Sequence, residues 1–262
     1  MKNCQKISEL VNTIEAGGRG VVMSVYRLKA VPGEEPHKWK PEKFAEIDWS
    51  EAFVRHMTEL CTIVEATSIY GEEREELKNA IMTVLIHGLM PAFSQLRKIR
   101  ESKDNPFPIM DRREEYHDFC RKLWKAYKDL TQRAATAARF DIGFVFRDEK
   151  EFTKGLPIFT AKFPKVRSRF ADFVSSARAR WQNDLAIFRN TFLEHQVGDP
   201  ERFAKYYDAN YVEKLFEDVW NTIVDLLAML LESKIASGMK LGLPDRKQYP
   251  DWPNRFMFYL QP

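Results

Sequence analysis

The sequence predicts a mainly α-helical fold, a multi-helix bundle with a minor β element. Three observations point there. Apolar residues recur every three or four positions over long segments. The segments are separated by connections rich in Gly, Pro, Asn and Asp. Residues with β-strand character are confined to brief stretches. The chain has 262 residues, enough to bury a core without disulfide or metal staples. Its composition, 44% hydrophobic and 30% charged, is that of a globular protein. Lys and Arg total 41 against 38 Asp and Glu, a formal charge of +3, which excludes a histone-like polycation and an acidic solvating tail.

Taken in order, residues 6–16 form a short helix stopped by Gly17-Gly18. Residues 20–31 read as a strand between glycines and Pro32-Gly33. A Pro-rich loop follows to residue 43. Asp48 or Ser50 caps a helix to about Thr67, with Phe53, Met57, Leu60 and Val64 on one face. A second helix covers about Glu72–Ser102, with a kink or break near Leu89 because Gly88 and Pro91 interrupt it. Asp104 to Pro108 is a loop. A third helix, about Asp111–Phe140, carries the stripe Tyr116, Phe119, Leu123, Trp124, Tyr127 and Leu130.

Residues 142–160 change character: IGFVF and LPIFT read as two short strands, forming with residues 20–31 a small sheet or flap. Helical periodicity returns over 166–195, in Phe170, Phe173, Val174, Ala177, Trp181, Leu185, Phe188 and Phe192. Gln196 to Pro200 stops that helix, and Pro200 opens a short one through Tyr207. The last long helix, about Asn210–Ser237, points Val212, Leu215, Phe216, Val219, Ile223, Leu226 and Leu230 at a core. The tail from Gly238 is Pro-rich and aromatic and closes over the bundle. Short connections in the second half favour antiparallel neighbours. The expected organisation is an accessory region over 1–105 and a helical bundle domain over 106–262, with one continuous domain as the alternative.

No stretch is long and apolar enough for a secretion signal or a membrane span; the most apolar, Ile223 to Leu231, lies among Asp218, Asp225 and Glu232. Cys4, Cys61 and Cys120 lack metal or redox spacing and read as reduced thiols, so the expected location is the cytoplasm and no membrane contact is expected.

Phosphate-binding glycine motifs are absent: there is no GxxxxGK[ST] and no GxGxxG after a strand. There is no G-x-S-x-G nucleophile elbow. Glu114 and His117 make one E-x-x-H on a helix, but a carboxylate-bridged metal pair needs a second, which the chain lacks. No metal site and no cofactor are expected.

The segment Phe188-Arg189-Asn190-Thr191-Phe192-Leu193-Glu194-His195 does carry chemistry. Arg189 offers a permanent charge and a planar donor fork suited to phosphate. His195 exchanges a proton near neutral pH. Asn190 adds a neutral amide. These are the groups that phosphodiester cleavage without a metal requires. On one straight helix Arg189 and His195 stand about 120° apart and about 9 Å along the axis. Convergence therefore needs a helix end before His195, or two copies of the segment facing each other.

This segment resembles the signature of the HEPN family (higher-eukaryote and prokaryote nucleotide-binding domains), helical bundles with Arg, then a polar residue, then His after four to six intervening positions; here Asn190 follows Arg189, and five residues separate Arg189 from His195. The resemblance covers roughly residues 110–237. It implies metal-independent RNA cleavage by a homodimer with the motif paired across the interface. Arg189 would stabilise the scissile phosphate, His195 would act as general acid or base, and Asn190 would orient the site. Many such proteins are toxins or phage-defence effectors, a setting with room for a regulatory protein partner, while others have lost catalysis and only bind.

A basic run agrees with an RNA or nucleotide partner. Lys162, Lys165, Arg167, Arg169, Arg178 and Arg180 face only Asp172, a local charge of +5. Phe163, Phe170, Phe173 and Trp181 are interleaved for base stacking, although three of them fall on the core stripe. The residues alone leave other readings open. The cations could be a solvated face balancing Glu213, Glu217 and Asp218. Arg189 and His195 could satisfy a helix C-terminus. The protein could be a non-catalytic binding module, or a helical metalloprotein using Glu114 and His117.

Overall fold

The structure, a computed structural model, describes residues 49–101, 113–166, 169–193, 203–235, 239–242 and 257–260. The helix expected over 6–16 and the strand over 20–31 lie outside the described residues. The rest is mainly helical: α1 (Trp49–Glu65), α2 (Gly71–Val84), α3 (Met90–Glu101), α4 (Arg113–Lys125), α5 (Thr131–Ala137), α6 (Glu149–Lys162), α7 (Arg169–Ala177), α8 (Asn183–Leu193) and α9 (Ala209–Glu232). The chain divides into two compact units. One is Pro41–Lys234; the other joins Met1–Lys40 to Ile235–Pro262. In the second unit, β1 (Met239–Gly242) and β2 (Met257–Leu260) pair antiparallel, with Met239 opposite Leu260. The β element is thus in the tail, where no strand was expected.

Within the helical unit, α9 is the central element. Asp208 caps it by accepting the Tyr211 backbone N–H at 2.8 Å. From Ile223 to Leu231 it is buried on nearly every side, as a helix surrounded by others must be. Helices α1, α3, α5 and α7 pack against it, and α4 packs between α3 and α8. Elements before and after residue 105 therefore share one core. The stripes read from periodicity form it: Met57, Leu60 and Val64; Tyr116, Phe119, Leu123, Trp124, Tyr127 and Leu130; Phe170, Val174, Trp181 and Leu185 are all buried. Each such side chain contributes about 1.5–3 kcal/mol of apolar transfer energy. Among the described residues no helix is long and apolar enough to cross a membrane.

Three long helical runs pass through a π-helical turn rather than breaking. The turns are Leu85–Leu89 between α2 and α3, Ala126–Leu130 between α4 and α5, and Arg178–Gln182 between α7 and α8. The first replaces the kink expected near Leu89. Pro91 has no N–H and its ring crowds the carbonyl four residues back; the wider turn just before it relieves both, with the Met90 N–H bonding to the Leu85 carbonyl. Gly88 lies where two of the turns touch: a Cβ there would stand 2.8 Å from the Ala126 Cβ and 2.9 Å from the Leu130 Cδ1. The second and third turns join through Tyr127, whose hydroxyl donates to Gln182 Oε1 at 2.8 Å and whose ring meets Trp181 edge-on at 4.6 Å.

The two strands expected within 142–160 are not strands. Gly143–Phe146 is a 3₁₀ turn and Glu149–Lys162 is α6. Asp148 caps α6 by accepting the Glu151 N–H at 2.9 Å. Phe152 and Phe159, seven residues apart, share its buried face. The aromatic and β-branched residues here serve helix packing: Phe159 stacks on Phe170 at 4.9 Å, and Phe144 packs where Gly155 leaves no Cβ. Pro157 lies inside α6 on its exposed side, where the Thr153 carbonyl that loses its N–H partner belongs to an exposed residue and can be met by water. Helix α5 ends in a Schellman turn, with Phe140 N–H bonding to Ala135 O at 2.8 Å and Arg139 N–H to Thr136 O at 2.9 Å. Arg139 holds the left-handed position, φ 65°, that glycine usually fills.

Candidate functional site

Helix α4 builds one wall of a groove of about 560 Å³, completed by Gln95 of α3 and Arg189 of α8. Glu114, His117, Asp118 and Arg121 fall at i, i+3, i+4 and i+7 and so share a face, while Tyr116, Phe119, Cys120 and Leu123 go inward. Asp118 accepts from Arg121 at 2.6 Å and from Lys122 at 2.5 Å. Partial burial raises its carboxyl, but these two cations outweigh burial and hold it below the ordinary carboxylate range.

His117 is the most constrained group of the groove. Its Nε2 is 2.8 Å from the Tyr207 hydroxyl. Its ring lies on Phe188 at 4.4 Å and 6°, and Phe188 lies in turn on Tyr206 at 4.4 Å and 10°. Burial, helped by the nearby Arg113 charge, pushes the imidazole down to about 4, so it is neutral at neutral pH.

Arg189 follows Phe188 on α8 and is half-buried. Its Nη1 donates to Asn190 Oδ1 at 3.2 Å, and among the described residues it forms no ion pair with a carboxylate. The structure thus places Arg189 in the groove, with its chain neighbour Asn190 bonded to it. His195 lies outside the described residues.

The basic run does not form one face. Arg178 is buried at 6% exposure: Nε donates to Glu149 at 2.8 Å, Nη1 donates to the Arg147 carbonyl at 2.8 Å, and the guanidinium covers the Phe152 ring at 4.7 Å. It cannot meet RNA from there, because its place on the inward side of the π turn makes it part of the core. Arg180 is exposed and stands 3.9 Å from Asp218, in keeping with a balanced face. Lys162 and Lys165 are exposed. Arg167 and the side chain of Arg169 lie outside the described residues. Phe170 and Trp181 are buried core residues and are not available to stack on bases. Phe163 and Phe173 are half-buried.

Glu114 and His117 both line the groove, yet among the described residues no three His, Cys, Asp or Glu side chains are grouped to hold a metal ion. Cys61 and Cys120 are free thiols, and burial raises both, Cys61 to about 11. That removes them as nucleophiles at neutral pH. Sequence reasoning missed that His117 shares the groove with Arg189 and bonds to Tyr207. The available signal was the pairing of E-x-x-H on one amphipathic helix with Phe188 on the stripe of the next. The chain matches no known family model, no curated protein and no solved structure.

Proposed function

We propose that this protein is a metal-independent endoribonuclease whose reacting groups are Arg189, Asn190 and His195, working as a homodimer with RNA as substrate. The observation that supports this reading most is the state of Arg189. It lines an open groove beside Asn190 and, among the described residues, lacks a carboxylate partner, whereas Arg178 on the same helical run is fully engaged. A guanidinium so placed suits a phosphoryl oxygen, with two parallel donors where charge accumulates during cleavage. In the proposed reaction a ribose 2′-hydroxyl gives up its proton and attacks the adjacent phosphorus. The 5′-oxygen leaves and takes a proton, with His195 serving one of these transfers. The products are a 2′,3′-cyclic phosphate and a 5′-hydroxyl. The resemblance to HEPN domains adds a toxin or phage-defence setting in the cytoplasm, with a regulatory partner protein.

A second reading has its own observation. The groove carries Glu114, Glu115 and Asp118 beside Arg121 and Arg189, so its charge does not favour a polyanion. A non-catalytic module that binds a protein or a nucleotide fits that balance. Incubation of RNA with purified protein in excess EDTA separates the two. The nuclease cleaves, and His195→Ala and Arg189→Ala stop cleavage while the helical circular dichroism spectrum persists. A binding module cleaves nothing and retains a partner. A metal-dependent enzyme is silenced by EDTA and indifferent to His195.

A further inference from the structure

We propose that His117 is a positioning residue for Arg189: its ring, stacked on Phe188 at the edge of the groove, sets the direction in which the next residue of α8 presents its guanidinium. The proposal rests on the reading of Arg189 as the phosphate-binding group, and it adds a residue which that reading does not contain. Phe188 is held on both faces, by His117 at 4.4 Å and by Tyr206 at 4.4 Å, with planes within 6° and 10°. Near-parallel rings on both sides leave that side chain little freedom to change rotamer. The imidazole is itself tethered, through Nε2, to the Tyr207 hydroxyl at 2.8 Å. Tyr206 and Tyr207 end the 3₁₀ turn Ala204–Tyr207 that leads into α9. The stack therefore links α4, α8 and the start of the central helix.

Arg189 projects one residue later, about 100° further around α8, into the groove that His117 also lines. A misdirected guanidinium would miss a phosphoryl oxygen by an ångström or more, which costs on the order of a hundredfold in rate. The neutral state of His117 suits the role, since an imidazolium would add a further cation near Arg113 and to a groove that already holds Arg121 and Arg189. His117 touches no reacting atom in this scheme; it acts through Phe188.

The test compares His117→Leu and His117→Ala, which remove the planar ring, with His117→Phe, which keeps it. The readout is the ¹⁵N order parameter of the Arg189 Nε–H, assigned by its loss in Arg189→Lys. The proposal expects that order to fall in the leucine and alanine variants to the level of the exposed Arg97, and to be retained in the phenylalanine variant. Leucine fills the ring's volume, so the test survives if the alanine variant does not fold. An unchanged Arg189 order in a folded leucine variant overturns the proposal. On RNA in EDTA, the leucine variant should lose kcat on the order of a hundredfold with KM nearly unchanged, with phenylalanine restoring most of it. If the wild type cleaves no RNA, the nuclease reading falls, and the order parameters still decide whether His117 positions Arg189.

Discussion

Arg178 and Arg189 lie eleven residues apart on one continuous helical run and have the same side chain, yet the molecule treats them oppositely. Arg178 opens the π turn on the inward face of the run, four residues after Val174 and three before Trp181. There it bonds to Glu149 and to two backbone carbonyls and covers an aromatic ring. Arg189 sits in the regular helix beyond, half-buried, with only a neutral neighbour as hydrogen-bond partner among the described residues. A buried guanidinium must have its donors met or it would unfold its surroundings. One that borders an open groove can keep donors for a ligand. The difference teaches that a basic run cannot be read as a surface from charge alone; its phase against the core decides which cations are available.

The sharpest way to break this contrast is Arg178→Ala. It leaves the Arg147 carbonyl without its donor and uncovers Phe152, so it should destabilise the fold by about 3 kcal/mol in urea titration. Arg189→Ala should change stability by less than about 0.5 kcal/mol. Equal losses would dissolve the distinction. Tyr127→Phe comes next. It strips the donor from buried Gln182 Oε1, whose Nε2 donates to the Val145 carbonyl at 2.6 Å, the carbonyl that Arg178 also approaches. The expected cost is about 1–2 kcal/mol, and a double mutant with Arg178→Ala should be less than additive because Gln182, which Tyr127 holds, shares that carbonyl with Arg178.

The fold was legible wherever one face of a long segment was apolar. The stripes through Leu123, Trp181 and Phe216 all became core because helical spacing and burial are one physical fact. The failures were local. GFVF and LPIFT carry strand-like residues, but the cap at Asp148 and the seven-residue spacing of Phe152 and Phe159 outweigh them, and short apolar runs do not distinguish the two periods. The inward place of Arg178 was legible in its spacing, four residues after Val174 and three before Trp181, but its charge assigned it to the basic run instead. At the groove, Arg189 and Asn190 could be found from the motif. His117 was legible as part of the E-x-x-H, but its bond to Tyr207 was not, because 90 residues separate the two and only packing brings their atoms together.

Smaller effects sharpen the groove's side of the comparison. His117 has a folded value of about 4 against the ordinary 6.5, so the unfolded chain binds its proton first as pH falls. Its contribution to stability is complete above about pH 6.5, is lost as pH falls toward 4, and changes no further below that. His117→Phe should remove this part of the pH dependence in denaturation measured from pH 7.5 to 3.5, and an unaltered slope would mean that other groups cause it. A last substitution sets a baseline for arginines that do neither job. Arg139 occupies a left-handed position and pairs only at the surface with Glu73, at 2.6 Å. Arg139→Gly should raise stability by about 0.5–1 kcal/mol in thermal melts, since relief of the backbone exceeds the value of an exposed pair.

The most direct test of the central claim is the chemistry of the RNA ends produced in excess EDTA by wild type and by Arg189→Ala, at matched folded fraction. The account predicts 2′,3′-cyclic phosphate and 5′-hydroxyl ends from the wild type and none above background from the variant. Cleavage that persists in Arg189→Ala, or ends carrying a 5′-phosphate, would contradict it.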